Sequence, residues 1–126
     1  MTKLLITGSR DANMKMLDYA KKVVARAKEL GYSIIVGDAE GIDSAVISAW
    51  MCTDIPIEVH GANNQMRIST SSGINIKHPC SYIERDRIMA RECDLCVAIW
   101  NGKSKGTRLT YDYAKSLGKE CYIKIL

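Results

Sequence analysis

Short apolar runs alternate with longer segments of helical period along the whole chain, and this alternation restricts the fold more than any other feature. Lys3 to Thr7, Ser33 to Val36, Asp94 to Trp100 and Glu120 to Leu126 read as strands, and Pro56 opens a further one, Ile57-Glu58-Val59-His60. Between the first two, Leu17, Ala20, Val24, Ala27 and Leu30 recur at steps of three and four, which predicts a helix over Met14 to Leu30 that Gly31 ends. Further helices are predicted at about Ile42 to Met51, Tyr82 to Arg91 and Thr107 to Leu117, the last capped by Gly118. Strands separated by helices require right-handed crossovers and a parallel sheet covered on both faces. Strands that are apolar throughout, rather than alternating, agree with burial on both sides.

The expected architecture is therefore an α/β, three-layer Rossmann-like domain over residues 1–126, with a mostly parallel sheet of about five strands and helices on both faces. The segment 61–81 departs from the pattern. It is polar and rich in Asn and Ser, with weak alternation at Met66-Arg67-Ile68 and Ile74-Asn75-Ile76, and is expected to be a long loop or hairpin insertion. Loops of that length serve often as lids or binding segments. A net charge of +4 is compatible with phosphorylated ligands and too small to argue for nucleic acid on its own. No apolar run reaches the roughly 18–20 residues of a membrane span, and Met1-Thr2-Lys3 leads straight into the first strand without a leader, so the cytoplasm is the expected location.

Five cysteines in irregular positions fit free thiols better than a disulfide framework. Cys93 and Cys96 form a CxxC, but no second pair or histidine cluster completes a site, and positions three apart on a strand diverge. His60 and His78 have no partner at metal-ligand spacing, so no metal is expected.

Every glycine-rich or charged cluster falls at the carboxyl end of a strand, where ligands collect in such sheets. The clusters are Thr7-Gly8-Ser9-Arg10, Gly37-Asp38-Ala39-Glu40-Gly41-Ile42-Asp43 and Asn101-Gly102-Lys103-Ser104-Lys105-Gly106-Thr107. Hydroxyls, a cation and a bare backbone at a helix start suit a phosphate, because the unpaired N–H groups there carry partial positive charge. The same residues also suit a tight turn with Thr107 as a helix cap. Asp38, at a strand tip, is expected to accept from ribose hydroxyls. Asp43 is expected to be architectural, complementing the helix dipole while pairing with Arg10 or holding a loop N–H. Glu40 is expected in solvent. Glu84, Arg85, Asp86 and Arg87 alternate in sign, a pattern typical of a solvated helix face, yet Arg85 shares a face with Met89 and could be carried to a phosphate if Met89 packs inward. Neither Ser9 nor Ser104 has an evident histidine base in sequence.

In order along essentially the whole chain, "TGSR", "GDAEGID", "ERDRIM" and "SKGT" followed by "YAKSLGK" resemble the SLOG superfamily of Rossmann-like domains, above all its small stand-alone YspA-like type. That superfamily includes the Lonely Guy phosphoribohydrolases and DNA-processing protein A. The resemblance implies a pocket for a nucleotide or nucleotide-derived ligand in a homodimer or higher homo-oligomer; no cofactor is expected. The pocket would be lined by Gly8, Ser9, Arg10, Gly37, Asp38, Gly41, Arg85, Ser104, Gly106 and Thr107. Thr110 stands where Lonely Guy enzymes carry a glutamate, Asn101-Gly102-Lys103 replaces their double glycine, and Asp86 replaces an asparagine typical of DNA-processing protein A.

Three functions follow from these residues. The first is a binding module for a ribose-phosphate ligand. The second is a nucleotide N-glycosidase, phosphoribohydrolase or deoxyribosyltransferase-like enzyme, with Arg10 and Arg85 on the phosphate and Asp38 or Glu84 at an oxocarbenium-like centre. The third, not favoured, is a single-stranded nucleic-acid binder using Arg67, Lys77, Arg85, Arg87, Lys103 and Lys105, with Trp50, Trp100 and the tyrosines available for stacking.

Overall fold

A computed structural model describes the chain from Met1 to Leu126. The elements are β1 (Lys3–Gly8), α1 (Met14–Leu30), β2 (Ser33–Gly37), α2 (Ile42–Trp50), β3 (Ile57–Gly61), β4 (Ile74–Lys77), α3 (Tyr82–Glu92), β5 (Leu95–Trp100), α4 (Lys105–Ser116) and β6 (Glu120–Ile125). The six strands form one sheet in the order β4-β3-β2-β1-β5-β6. Every neighbouring pair is parallel. The Rossmann-like α/β class is as expected, with one strand more than the apolar runs predict.

Side chains alternate across a strand, and that alternation builds the three layers. Leu4, Ile6, Ile34, Val36, Ile57 and Val59 pack with Met16, Ala20, Val24 and Ala27 of α1 and with Ile42, Val46 and Trp50 of α2. On the opposite face Leu5, Ile35 and Cys96 pack with Met89 and Ala90 of α3 and Ala114 of α4. The helix limits follow local chemistry. Asn13 caps α1 by accepting from the Met16 N–H, and Gly31 ends it at φ +71° with its N–H on the Ala27 and Lys28 carbonyls. Ser81 caps α3 in the same way, accepting from the Glu84 N–H.

The added strand lies in the 61–81 segment. Ile74 to Lys77 pair in parallel with Glu58 to Gly61, so the alternation there belongs to a parallel edge strand and no hairpin forms. Its burial is slight, and the apolar signal that betrays interior strands is correspondingly weak. The CxxC also differs from expectation. Cys93 is the C-cap residue of α3 rather than part of β5, so the strand rule does not govern it, and it shares one buried cluster with Cys96. No helix is long and apolar enough to cross a membrane.

Candidate functional site

Chain order reverses between β1 and β5, and the loops leaving their carboxyl ends part to leave a crevice. A cleft of about 280 Å³ opens there. Its walls come from the end of β1 (Thr7, Gly8, Arg10), the turn after β2 (Ala39, Asp43), the start of α3 (Tyr82, Arg85, Asp86) and the start of α4 (Ser104, Gly106, Thr107), with Arg67 reaching in from the β3–β4 connection. A second cleft of about 310 Å³ between α3 and α4 shares Ile83, Asp86 and Gly106 with it, so the two form one continuous groove.

The β5–α4 wall is built by side chains that replace missing backbone partners. Asn101 Oδ1 accepts from the N–H groups of Lys103 and Ser104 at 2.8 and 3.0 Å. Ser9 is fully buried, and its Oγ accepts from the Asn101 N–H at 3.1 Å, locking this loop to the end of β1. Ser104 then caps α4, its Oγ lying 3.1 Å from the Thr107 hydroxyl. Lys103 and Lys105 are exposed beside this helix start.

The opposite wall is ionic. Asp38 is buried at the tip of β2, and its carboxylate takes the Arg67 side chain through Nε at 3.1 Å and Nη2 at 2.7 Å, the Arg67 N–H at 2.8 Å and Arg85 Nη1 at 3.0 Å. Burial alone would raise its pKa, but these bonds, chiefly those from Arg67, outweigh it and hold the carboxyl below its ordinary range. Arg85 is buried as well. Its Nη1 also donates to the His60 carbonyl at 2.6 Å, and its Nε donates to Asp86 Oδ1 at 2.8 Å. The Arg67 guanidinium lies 4.3 Å from the centre of the Tyr82 ring. Asp43 accepts from the Ala39 N–H at 3.1 Å, and burial, with Asp86 and Asp38 adding to it against Arg85, pushes its pKa up to about 7.

The cleft brings together Gly8, Arg10, Asp43, Arg85, Ser104, Gly106 and Thr107 of the residues singled out from the sequence. Arg85 does not present a free guanidinium, because Asp38, Asp86 and the His60 carbonyl occupy it. Asp43 holds a loop N–H and makes no ion pair with Arg10. Arg10 is exposed at the rim and has no acidic partner. Glu84 points elsewhere, pairing with Arg87 at 3.2 Å on the exposed side of α3. The glycines at 37 and 41 are bare for reasons inside the fold. A Cβ on Gly37 would lie 2.7 Å from Asp43 Oδ2, and one on Gly41 would strike the Ser9 and Arg10 carbonyl oxygens. Gly8 lets Ile42 of α2 close onto β1, with 2.5 Å left for a Cβ. The alternating charges of α3 do not form one solvated face, since Arg85 and Asp86 turn inward while Glu84 and Arg87 stay out.

Sequence reasoning did not place Arg67 against Asp38, nor Tyr82 beneath Arg67. Both contacts depend on how the 61–81 segment returns over the strand ends, and no periodicity encodes that path. Position four before Met89 on a helix did signal the inward turn of Arg85.

No protein-family model matches the chain, and a search of curated proteins finds no significant match. Solved structures share its architecture. The molybdenum cofactor carrier protein from Chlamydomonas reinhardtii superposes with a TM-score of 0.82 at 18% identity, over 97% of this chain and 75% of that one. DNA processing protein A from Streptococcus pneumoniae gives a TM-score of 0.77 at 18% identity, over 98% of this chain and 50% of that one. The same protein from Helicobacter pylori, whose structure describes single-stranded DNA binding, gives 0.75 at 14% identity over 97% and 64%. The chain thus spans only half to two thirds of the DNA processing proteins, and at these identities the likeness is one of fold.

Proposed function

We propose that the protein binds a nucleotide or nucleotide-derived ligand of ribose-phosphate type in the strand-end cleft, as a sensor or carrier. The observation that carries this is the pairing, across one cleft, of the exposed, unpartnered Arg10 with the capped start of α4 at Ser104, Gly106 and Thr107. A phosphate between them meets a free cation, hydroxyls and helix N–H groups at once. Arg67 is the second cation within reach, already oriented by Asp38 and Tyr82. The groove running on between α3 and α4 offers Ile83 and Leu109 as apolar surface for a base. Neighbours named for cofactor carriage and for single-stranded DNA binding support a binding role for this fold.

Native mass spectrometry with nucleoside monophosphates, cyclic nucleotides, ADP-ribose and NAD tests the proposal. A retained, unmodified adduct is expected, and Arg10→Ala should weaken it at least about tenfold, the scale of one charge-assisted hydrogen bond. No adduct with any member would refute it.

A second reading, N-glycosidic cleavage, draws on a different observation. Asp38 is saturated by two arginines and Glu84 lies outside the cleft, but Asp43 lines it with a pKa of about 7, suited to carrying a proton. Release of free base from a panel member would favour this reading, and loss of that release in Asp43→Asn would assign the proton carrier.

A further inference from the structure

We propose that Glu58, His60 and Glu92 bind a divalent transition-metal ion, with His78 as the outer partner that fixes the His60 ring. None of these four residues lines the strand-end cleft. Glu58 and His60 are two apart on β3 and project from the same face of the sheet, toward the last residue of α3, Glu92. One donor atom from each of the three lies within 4.8 Å of the others. His60 Nε2 is 3.0 Å from Glu58 Oε1 and 4.0 Å from Glu92 Oε2.

Two ionised carboxylates brought this close repel each other, and a cation between them relieves that repulsion. The cations available do not fill that role. Lys3 Nζ stands 4.0 Å from Glu58, at the edge of ion pairing, and no lysine or arginine pairs with Glu92.

The imidazole has the support expected of a metal ligand. Its ring is fully buried, and Nδ1 lies 2.8 Å from His78 Nε2. A ligating histidine is oriented through its other ring nitrogen in this manner. With the ion bound, the His60 proton moves from Nε2, where it faces Glu58, to Nδ1 and is donated to His78 Nε2, while the proton of His78 moves from Nε2 to Nδ1. That exchange of tautomer balances within the pair, with no net gain or loss of protons.

One imidazole and two carboxylates suit Zn²⁺, Co²⁺, Mn²⁺ or Fe²⁺, and three protein ligands leave a coordination position for water. The half-buried Glu58 and exposed Glu92 give the ion an approach from solvent. Once bound, it ties the C-terminal end of α3 to β3 and, through His78, to the residue following β4.

Isothermal titration of chelator-treated protein with ZnCl₂ tests the site. One ion per chain is expected, with affinity falling at least tenfold in both Glu58→Gln and Glu92→Gln, and by about 10–100-fold in His78→Phe, the usual cost of losing an outer partner. Glu92 is on the surface, with 44% of its side chain exposed, so Glu92→Gln keeps the test decisive should Glu58→Gln fail to fold. Co²⁺ should give visible bands of nitrogen and oxygen coordination. No binding, binding unchanged in Glu92→Gln, or a thiolate-to-cobalt charge-transfer band that assigns the ion to the cysteines would overturn the proposal.

Discussion

Replacing Asp43 by Asn should make the protein less sensitive to alkali and leave its fold in place. Asp43 sits inside the cleft wall with its carboxyl driven from an ordinary 3.8 to about 7, mainly by burial. The folded chain therefore keeps a proton there that the unfolded chain releases from about pH 4 upward. Because the folded state holds more protons in this window, stability declines as pH rises through it and levels off once the folded group has ionised. A shift from 3.8 to about 7, at about 1.4 kcal/mol per tenfold change in proton affinity, amounts to about 4 kcal/mol over the full range. Between about pH 5 and about pH 8.5 the part still to be lost is about 3 kcal/mol. Asn retains an oxygen for the Ala39 N–H that Asp43 now holds at 3.1 Å, and it cannot ionise. Urea unfolding of both proteins at the two pH values isolates the group, since the other titrating residues are common to both. The wild type should lose about 3 kcal/mol relative to Asp43→Asn on going to the higher pH. Parallel behaviour of the two proteins would refute the reasoning and mean that water or Arg85 keeps the carboxylate ionised in the fold.

Other consequences are open to direct measurement. Arg85→Met should cost about 3–5 kcal/mol in urea unfolding, because it leaves the buried Asp38 and the half-buried Asp86 without a shared guanidinium; a loss below about 1 kcal/mol would mean Arg67 suffices for both. Gly41→Ala should cost about 2 kcal/mol or more by the same assay, since its φ of +75° is strained for alanine and the Ser9 and Arg10 carbonyls occupy the Cβ position. A thiol reagent at neutral pH should label the exposed Cys52 quickly and leave Cys93 and Cys96 unreacted. Both are buried, which pushes the Cys93 thiol up to about 11 and Cys96 higher still; rapid labelling of either, read by peptide mass mapping, would show that the cluster opens.

The interior strands were legible because burial on both faces writes a continuous apolar run, as in Leu4-Leu5-Ile6 and Ile34-Ile35-Val36. The edge strand Ile74–Lys77 was not, because an edge exposed to water needs no such run. At the site, the loops that converge on the strand ends could be found from glycine and charge alone. What those glycines make room for could not be. Gly37 and Gly41 read as space for a ligand, but Asp43, Arg85 and the Ser9–Arg10 backbone fill it. Glu84 and Arg85 illustrate the same limit from another side. One step along α3 separates an exposed carboxylate paired with Arg87 from a buried guanidinium between Asp38 and Asp86. His60 and His78 lie eighteen positions apart, and only the parallel return of β4 beside β3 sets their rings together.

The strand order has a consequence for how this chain is made. β1 precedes the other five strands along the chain and lies at the centre of the sheet, yet one of its two neighbours is β5, with Leu4 opposite Leu95 and Lys3 bonded to Asp94 across 91 positions. During translation, the edge of Leu4-Leu5-Ile6 that β5 will cover therefore stays open while most of the chain is still inside or emerging from the ribosome. β2 can dock early, through the local α1 crossover, but it guards only the other edge. An open, wholly apolar strand is a template for pairing with other nascent chains. The interval before β5 emerges is thus when this protein most needs protection by a chaperone, and slow decoding between α2 and α3 would lengthen it.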